Sequence, residues 1–456
     1  MRLLLIIPTL LLLSGCAEKF NTADYLQLNK NYDVVIERDH LGVPHIIGER
    51  DVDAAFGFAY AQAEDNWQII HDSIPFYRGT NAAINGKDAA TIDFLIHWLG
   101  IWEDLDAGYE TELKPETRAY IEAFADGINY YAALHPEETN QRLFPINGKD
   151  IVAGYMLRHL LFYGFDAPVI ELFEEQRKHP ISRGGEAVAE SDSRSHGVTI
   201  GGLPIGSNAM TVSPYNSTDG STMLAINSHQ PTTGPVAWYE AHVQSNEGLN
   251  IMGGLFPSSV TIGVGFTENL GWGATVNKPD LVDIYVLDID PSDPNRYRLD
   301  GEWKTLESRD ITIDVKLMGF LPWSVTEQAL RSVHGPVLRT DHGTYAVRYA
   351  GMGEMRQVEQ WLAMNKAQNF EDWRNAMRMH AFASFNLVYA DREGNTMFVH
   401  NSLTPNRVSG YNWAHYLPGD DSSLIWDNYM PFDKLPQIIN PESGFIHSAN
   451  QSPFYI

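Results

Sequence analysis

The chain has 456 residues, 44% of them hydrophobic and 20% charged, which is typical of a globular protein with a sizeable core. Its formal net charge of −26 argues against nucleic acids and anionic membrane surfaces as partners, because both would repel it. A single cysteine excludes a disulfide framework.

The N-terminus has the pattern of an export signal. Met1-Arg2 is followed by an apolar run over 3–13 and then by Ser14-Gly15-Cys16. The run is shorter than the roughly 20 residues of a transmembrane helix. Leu13-Ser14-Gly15-Cys16 resembles a bacterial lipobox, which implies cleavage before Cys16 and lipidation of its thiol. An ordinary signal peptide is the alternative. We therefore predict a protein of the bacterial cell envelope, in the periplasm, whose membrane contact is a lipid on Cys16.

The first 175 residues are predicted to be mostly α-helical. Residues 32–38 form a predicted strand of β-branched residues, and a turn at 42–46 leads to a second strand. The spacing of apolar residues then predicts a long buried helix over 51–78 and a further helix beginning near Pro115. Residues 150–175 also have a helical pattern.

The composition changes after residue 176. Residues 177–202 are polar and glycine-rich, which is typical of a linker or an excised spacer with no reason to pack. The chain beyond is predicted to be rich in β-strands, with a late helix over 370–378. The predicted strands are 208–212, 222–227, 236–244, 249–253, 260–266, 270–276, 283–287, 386–389 and 396–400.

Gly206-Ser207-Asn208 follows the spacer. A cut between Gly206 and Ser207 would leave a hydroxyl nucleophile and an α-amine on one residue, and an α-amine titrates near pH ~8, far below lysine. Such a residue can carry its own base, as in N-terminal serine and threonine hydrolases. Taken alone, the tripeptide more often marks a turn before a strand.

The motifs in order resemble the penicillin acylase family of N-terminal nucleophile hydrolases, and within it the acyl-homoserine lactone acylase branch. The resemblance covers 32–452 and rests on RDHLGVPHI (38–46), DAAFGFAYAQAED (53–65) and the Gly206-Ser207 junction. It implies an α+β class with a four-layer αββα fold. It also implies a signal peptide over 1–16, a mostly helical small subunit over 17–176, a spacer propeptide over 177–206 and a large subunit over 207–456.

The same resemblance assigns catalytic roles. It implies self-cleavage between Gly206 and Ser207 and makes Ser207 the nucleophile. His229, in NSH (227–229), would assist its activation. Val276, in FTENLGWGATVN (266–277), and Asn386, in SFNLVYAD (384–391), would supply the backbone N–H and the side-chain amide of an oxyanion hole.

Arg407, in NSLTPNR (401–407), matches an arginine that the family places near the site. Each of these side chains also has a plain structural interpretation: a solvent-facing histidine for His229, a strand-end turn for Asn386 and a surface ion pair for Arg407.

A structural calcium ion is also implied. Asp280, Val282 and Asp283 match the carboxylate pair and carbonyl of the family's metal site, and Glu171 matches the small-subunit glutamate that completes it. Oxygen ligands from two segments suit Ca²⁺, which would tie the two subunits together. Acidic residues facing solvent are the alternative. No organic cofactor is expected.

The implied reaction is hydrolysis of a small-molecule N-acyl amide through an acyl-enzyme on Ser207. The resemblance favours an acyl-homoserine lactone acylase that quenches quorum signals, with a penicillin, cephalosporin or other N-acyl amide acylase as the alternative. Gln230 stands where relatives often have an aromatic residue, and Gly164-Phe165 lacks the arginine that precedes the aromatic residue of penicillin G acylases. The acyl chain and head group therefore stay open.

The C-terminus departs from the family. Its large subunit normally continues far beyond the segment matched by 450–453, so the sequence is expected to be incomplete there. A non-catalytic, truncated family member is accordingly the rival hypothesis. The only oligomer that the sequence implies is the pair of subunits produced by self-cleavage.

Overall fold

The structure is a computed structural model that describes residues 20–185, 199–200, 203–204 and 206–453. Cys16 of the predicted lipid signal lies outside these residues, as do 186–198, 201, 202 and 205 of the predicted spacer. Within the described ranges, no helix combines the length and the apolar character needed to span a bilayer.

The helices are concentrated before residue 172, as the sequence predicts. The predicted helix over 150–175 is two helices, because the chain turns at Gly164 with a φ of 79°. The described helices are α1 Thr22–Tyr25, α2 Asp51–Tyr77, α3 Ala82–Asn85, α4 Ala90–Leu99, α5 Ile101–Glu112, α6 Pro115–Leu134, α7 Gly148–Phe162, α8 Asp166–Glu171, α9 Gln357–Asn365 and α10 Phe370–Met377.

The strands follow mainly after residue 198. They are β1 Val34–Arg38, β2 Pro44–Gly48, β3 Thr199–Ile200, β4 Leu203–Pro204, β5 Gly206–Val212, β6 Met223–His229, β7 Tyr239–Ser245, β8 Asn250–Leu255, β9 Val264–Phe266, β10 Leu270–Thr275, β11 Val282–Val286, β12 Ile289–Asp290, β13 Asp293–Leu299, β14 Glu302–Thr305, β15 Glu307–Leu317, β16 Leu321–Ser332, β17 Gly335–Thr340, β18 Gly343–Tyr349, β19 Ser384–Asp391, β20 Thr396–Ser402, β21 Leu417–Pro418, β22 Gln437–Ile439 and β23 Phe445–Ser448.

The central sheet has nine strands in the order β1-β2-β7-β8-β9-β10-β19-β20-β22. Helices α2, α6 and α7 join its large apolar core. Helix α2 lies close to β2, because an added Cβ at Gly48 would be 2.4 Å from the backbone nitrogen of Ala54. The absence of a side chain at Gly48 therefore lets the first turn of α2 lie directly against β2.

A three-stranded sheet, β23-β5-β6, packs on β10, β19 and β20 of the central sheet. Ala209 and Ile446 from the small sheet form an apolar cluster with Val388 and Phe398 from the large one. Side chains alternate along β5, so Ser207 and Thr211 are buried on the same face as Ala209. We call the space between these two sheets the inter-sheet layer.

A six-stranded sheet, β15-β16-β17-β18-β11-β21, carries the long β15–β16 hairpin. Together the helices and sheets confirm the predicted α+β class. The start of the predicted spacer is packed, contrary to expectation. Arg177 donates a hydrogen bond to the hydroxyl of Tyr345, and Ile181 forms a parallel bridge with Tyr416.

Candidate active site

Ser207 is the second residue of β5, directly opposite Ser228 of β6. Its side chain points into the inter-sheet layer, and the residue is 3% exposed. The chain is continuous through the Gly206–Ser207 bond, and the Ser207 hydroxyl donates to the Gly206 carbonyl oxygen at 2.5 Å. The nucleophile and the carbonyl of the predicted cleavage bond are therefore already in contact.

Asn450 binds the backbone of Ser207. Its Oδ1 accepts a hydrogen bond from the Ser207 N–H at 2.8 Å, while its Nδ2 donates to the Val276 carbonyl at 2.7 Å. Its φ of 65° lies in the left-handed region, which asparagine tolerates better than most residues. One side chain thus links the nitrogen that would become the α-amine to the segment predicted to bind the oxyanion.

A pocket opens beside Ser207, which forms part of its wall. Its walls are mostly aromatic: Phe256 stacks on Phe162 with ring centroids 5.5 Å apart and contacts Trp238 at 4.7 Å. Val276 and Phe385 also line it. Such walls suit the apolar part of an acyl group.

Arg158 and His159 add polar groups to this pocket. Arg158 donates from Nη1 to the Ser259 hydroxyl at 2.8 Å and from Nε to the Gly154 carbonyl at 3.1 Å. Burial lowers the pKa of His159 to about 3, so the imidazole is neutral at physiological pH. Within the described ranges, the Nδ1 atom of His159 has no hydrogen-bond partner.

Asn386 lies in the inter-sheet layer, two residues before Val388 on the same face of β19. It is fully buried, and its Oδ1 lies 2.8 Å from Nδ1 of His400, its direct neighbour on β20. Among the described residues, no group accepts a hydrogen bond from its Nδ2. The structure thus places a free amide donor in the same layer as the Ser207 hydroxyl.

Val276 follows β10 and is buried against Phe162. The next residue, Asn277, accepts a hydrogen bond from the Phe385 N–H at 2.9 Å and donates to the Asn401 carbonyl at 2.8 Å. The backbone at Val276 is consequently tied to the backbone just before Asn386. The two predicted oxyanion donors belong to one connected unit.

The side chain of His229 lies on the other face of the β5–β6 hairpin from the Ser207 hydroxyl that it is predicted to assist. It lies opposite Gly206, on the outer face of the hairpin, and is exposed. Its Nε2 is 3.2 Å from the side-chain amides of both Asn208 and Asn227. The ring therefore neighbours the glycine side of the predicted cleavage bond, and its catalytic role stays a prediction.

Arg407 binds the acids of the predicted metal site. Its guanidinium contacts both oxygens of Asp283, at 2.9 and 3.1 Å, and one oxygen of Asp280 at 3.0 Å. The Asp283 carboxyl also accepts a hydrogen bond from Trp426 at 2.6 Å. Burial raises the pKa of Asp283, and the charge of Arg407 opposes that shift. Arg407, which was predicted near the nucleophile, therefore binds Asp280 and Asp283. The hydroxyl of Ser207 binds the Gly206 carbonyl instead.

The predicted calcium ligands do not fit a calcium ion in this arrangement. The cation Arg407 already occupies both oxygens of Asp283. Glu171 instead pairs with Lys178 at 3.0 Å and contacts His179 at 3.1 Å. Of the acidic and histidine groups described, the one cluster close enough to share an ion is His135, Glu137 and Glu138.

Sequence reasoning missed three contributors to this site. It considered Gly164-Phe165 for the acyl pocket, whereas Phe162 lines the pocket and Phe165 packs against Tyr349. The break at Gly164 hid this, because a continuous helix would have kept residues 162 and 165 on neighbouring faces. Asn450 and His400 are brought in by strand pairing, and no local pattern marks either one.

A buried serine at the start of a strand, an unpaired amide donor in its layer and an adjoining apolar pocket make this region the candidate active site. The Penicillin amidase family model matches residues 33–455. The chain belongs to the penicillin amidase family, so the resemblance read from the sequence is confirmed.

Relatives carry acylase names. The chain is 27% identical to acyl-homoserine lactone acylase PvdQ of Pseudomonas fluorescens, covering 91% of this chain and 58% of that protein. It is 25% identical to the Escherichia coli penicillin G acylase, covering 92% and 59%. A solved penicillin G acylase from Alcaligenes faecalis aligns with 54% of this chain and 44% of its own at 28% identity and a TM-score of 0.48. The chain spans about three fifths of the curated relatives' length.

Proposed function

We propose that the protein is a self-processing hydrolase of N-acyl amides, with N-acyl-homoserine lactones as substrates. The observation that carries the proposal is the burial of Ser207 beside an apolar pocket, with the unpaired amide of Asn386 in the same layer. Membership of a family whose relatives are named as acylases supports it.

Self-cleavage starts from the contact between the Ser207 hydroxyl and Gly206. The oxygen attacks the Gly206 carbonyl carbon, the hydroxyl proton passes to the Ser207 nitrogen as the C–N bond breaks, and the acyl group is left as an ester on the oxygen of Ser207. Water then hydrolyses the ester, which frees the carboxylate of Gly206 and the amine and hydroxyl of Ser207.

The substrate reaction uses the new amine as the base. The amine takes the hydroxyl proton of Ser207, the oxygen attacks the amide carbonyl, and Val276 N–H and Asn386 Nδ2 bind the oxyanion. The proton passes to the leaving amine as the C–N bond breaks. Water hydrolyses the acyl-enzyme to a carboxylic acid, and Asn450 holds the amine throughout.

The apolar walls around Phe162, Phe256 and Trp238 would bury the acyl chain. Because aromatic rings also stack well on an aryl group, an arylacetyl amide such as penicillin G is the second candidate. The two candidates differ in the acyl group that fits between these rings, while the chemistry at Ser207 is the same.

Release of the free amine from long-chain acyl-homoserine lactones and from penicillin G tests the proposal, measured together with intact mass. We expect a fragment beginning at Ser207 and faster turnover of the lactones. An intact chain that hydrolyses neither compound would refute the function. Faster turnover of penicillin G would refute the substrate and keep the mechanism.

We also propose that the protein is a lipoprotein of the periplasm, attached through Cys16 and divided into two subunits by the cut. Labelling with a radioactive fatty acid tests the anchor. Label should enter the wild-type chain, and a Cys16→Ser variant should carry none.

A further inference from the structure

Asn386 and His400 form a hydrogen-bonded pair in the inter-sheet layer. They face each other across β19 and β20, and both are buried, Asn386 completely and His400 to 7% exposure. On the same faces, the apolar Val388 follows Asn386 and Phe398 precedes His400, whereas Ser384 and Ser402 lie on the other side of the pair. Among the described residues, the hydrogen bond between Asn386 Oδ1 and His400 Nδ1, at 2.8 Å, is the contact that orients the amide.

The other end of this amide has no partner. Within the described residues, Asn386 Nδ2 is buried without a hydrogen-bond acceptor. Buried polar groups are almost always paired, because one left unpaired destabilises the fold. An amide whose orientation was not fixed by a neighbour would rotate until its polar atoms were better paired. A donor held free at this point needs a neighbour that fixes its oxygen end.

His400 has the properties that this task requires. Burial lowers the pKa of His400 to about 4, so the ring is neutral at physiological pH and carries one N–H. Amide oxygen only accepts hydrogen bonds, so the proton lies on Nδ1 in this pairing. A donor at the oxygen end also polarises the amide, which strengthens the N–H groups at the opposite end.

The backbone before Asn386 is fixed as well. Phe385 has a φ of 132°, where residues with side chains are rarely found, and its N–H donates to Asn277 Oδ1 at 2.9 Å. The main chain is therefore held by Asn277, and the side chain by His400. This leaves the amide of Asn386 with one orientation.

We propose that His400 is a positioning residue that holds the Asn386 amide with Nδ2 presented to the oxyanion. The proposal rests on the proposed function, in which Asn386 binds that oxyanion. His400 contacts Asn386 and acts through it. Its removal should therefore slow the chemical step and leave substrate binding largely unchanged.

The first test compares His400→Phe, which keeps a ring and loses the donor, with His400→Asn, which keeps an N–H near the position of Nδ1. Turnover is expressed per titrated Ser207 site, so unfolded or uncleaved molecules do not count. We expect His400→Phe to lower kcat by roughly 10²-fold, with KM changed less than about 3-fold. His400→Asn should recover most of that loss. Equal loss in both variants would overturn the proposal.

His334→Phe is the matched control, because His334 is a buried histidine outside the layer, beside Ser332 and Tyr285. It should alter stability and leave kcat unchanged. If His334→Phe lowered kcat as much as His400→Phe, loss of a buried histidine alone would explain the effect.

A double-mutant cycle separates the proposal from the function beneath it. In an Asn386→Ala background, His400→Phe should change kcat less than about 2-fold, because the amide it positions is gone. A further loss as large as that of the single variant would overturn the positioning role. If Asn386→Ala alone left kcat unchanged, the oxyanion assignment itself would fail.

Discussion

Two buried polar regions, one predicted from the sequence as part of the oxyanion hole and the other as part of a calcium site, differ in whether their polar atoms have hydrogen-bond partners. In the inter-sheet layer, Asn386 Nδ2 has no partner among the described residues. Both carboxylate oxygens of Asp283, in contrast, accept hydrogen bonds, two from Arg407 and one from Trp426. An unpaired buried donor beside a pocket indicates where a ligand binds, whereas a saturated ion pair indicates a structural contact.

Ser207→Ala should give the largest effect and define the reactive region. Without the hydroxyl, neither the cut after Gly206 nor an acyl-enzyme can form, so intact mass should show one uncut chain with no amidase activity. Thr211→Val is the matched control: it removes a buried hydroxyl from the same face of β5 and keeps the shape. Normal cutting and turnover in Ser207→Ala would contradict the mechanism.

Arg407→Met should remove the ion pair that Arg407 forms with the buried Asp283 carboxylate. It leaves the Asp283 carboxyl buried without its cation, which costs about 3–5 kcal/mol of unfolding free energy. Chemical denaturation measures this loss, and kcat per folded molecule should not change. Arg348→Met is the control, because Arg348 is also buried but binds backbone carbonyls of His334 and Trp426.

Thermal denaturation tests calcium binding. We expect no change in the wild-type Tm with calcium or with a chelator, because Arg407 holds both oxygens of Asp283. A Tm that rises with calcium and falls with a chelator would show that the acids bind metal after all.

Asn450→Ala should lower kcat by about 10-fold to 10²-fold, the effect of losing a hydrogen bond to the reacting amine. Asn440→Ala is the matched control, because Asn440 also has a positive φ and binds a backbone N–H, that of Thr396, away from the pocket. Steady-state kinetics should show loss in the first variant only. Equal loss in both would mean that Asn450 acts merely on the fold.

The smallest effect concerns pH. Burial lowers the pKa of His334 to about 4, below its unfolded value of about 6.5. The unfolded chain therefore takes the proton first, so the stability from neutral His334 is complete above pH 6.5 and is lost as pH falls toward 4. His334→Phe should reduce this slope by up to roughly 1.4 kcal/mol per pH unit in denaturation at several pH values. An unchanged slope would contradict it.

The elements predicted correctly from the sequence are those with a clear local pattern of residues. Strands β1 and β2, helices α2 and α6, the strand that follows Ser207, the strand that ends before Val276 and the strand that carries Asn386 follow from apolar spacing and turn residues. The β15–β16 hairpin was missed. The first eight residues of β16, including Trp323, are all exposed, so the alternation of buried and exposed positions is weak in that strand, although β15 alternates at Ile311, Ile313 and Val315.

The site residues also differ in whether a local motif reveals them. Ser207 and Asn386 lie in recognisable motifs, whereas Asn450 reaches Ser207 across 243 positions through pairing of β23 with β5. Arg407 was assigned by its motif, but the partner it finds depends on where β11 places Asp283. Strand register set these contacts, and spacing along the chain does not reveal it.

The most direct test of the central claim is acid-quenched mass spectrometry of the protein after brief exposure to an N-acyl-homoserine lactone. We predict a peptide whose first residue is Ser207 and whose mass is raised by the acyl group on its hydroxyl. An acyl group on another residue, or a chain still joined through Gly206–Ser207 that nonetheless turns over the substrate, would contradict the account.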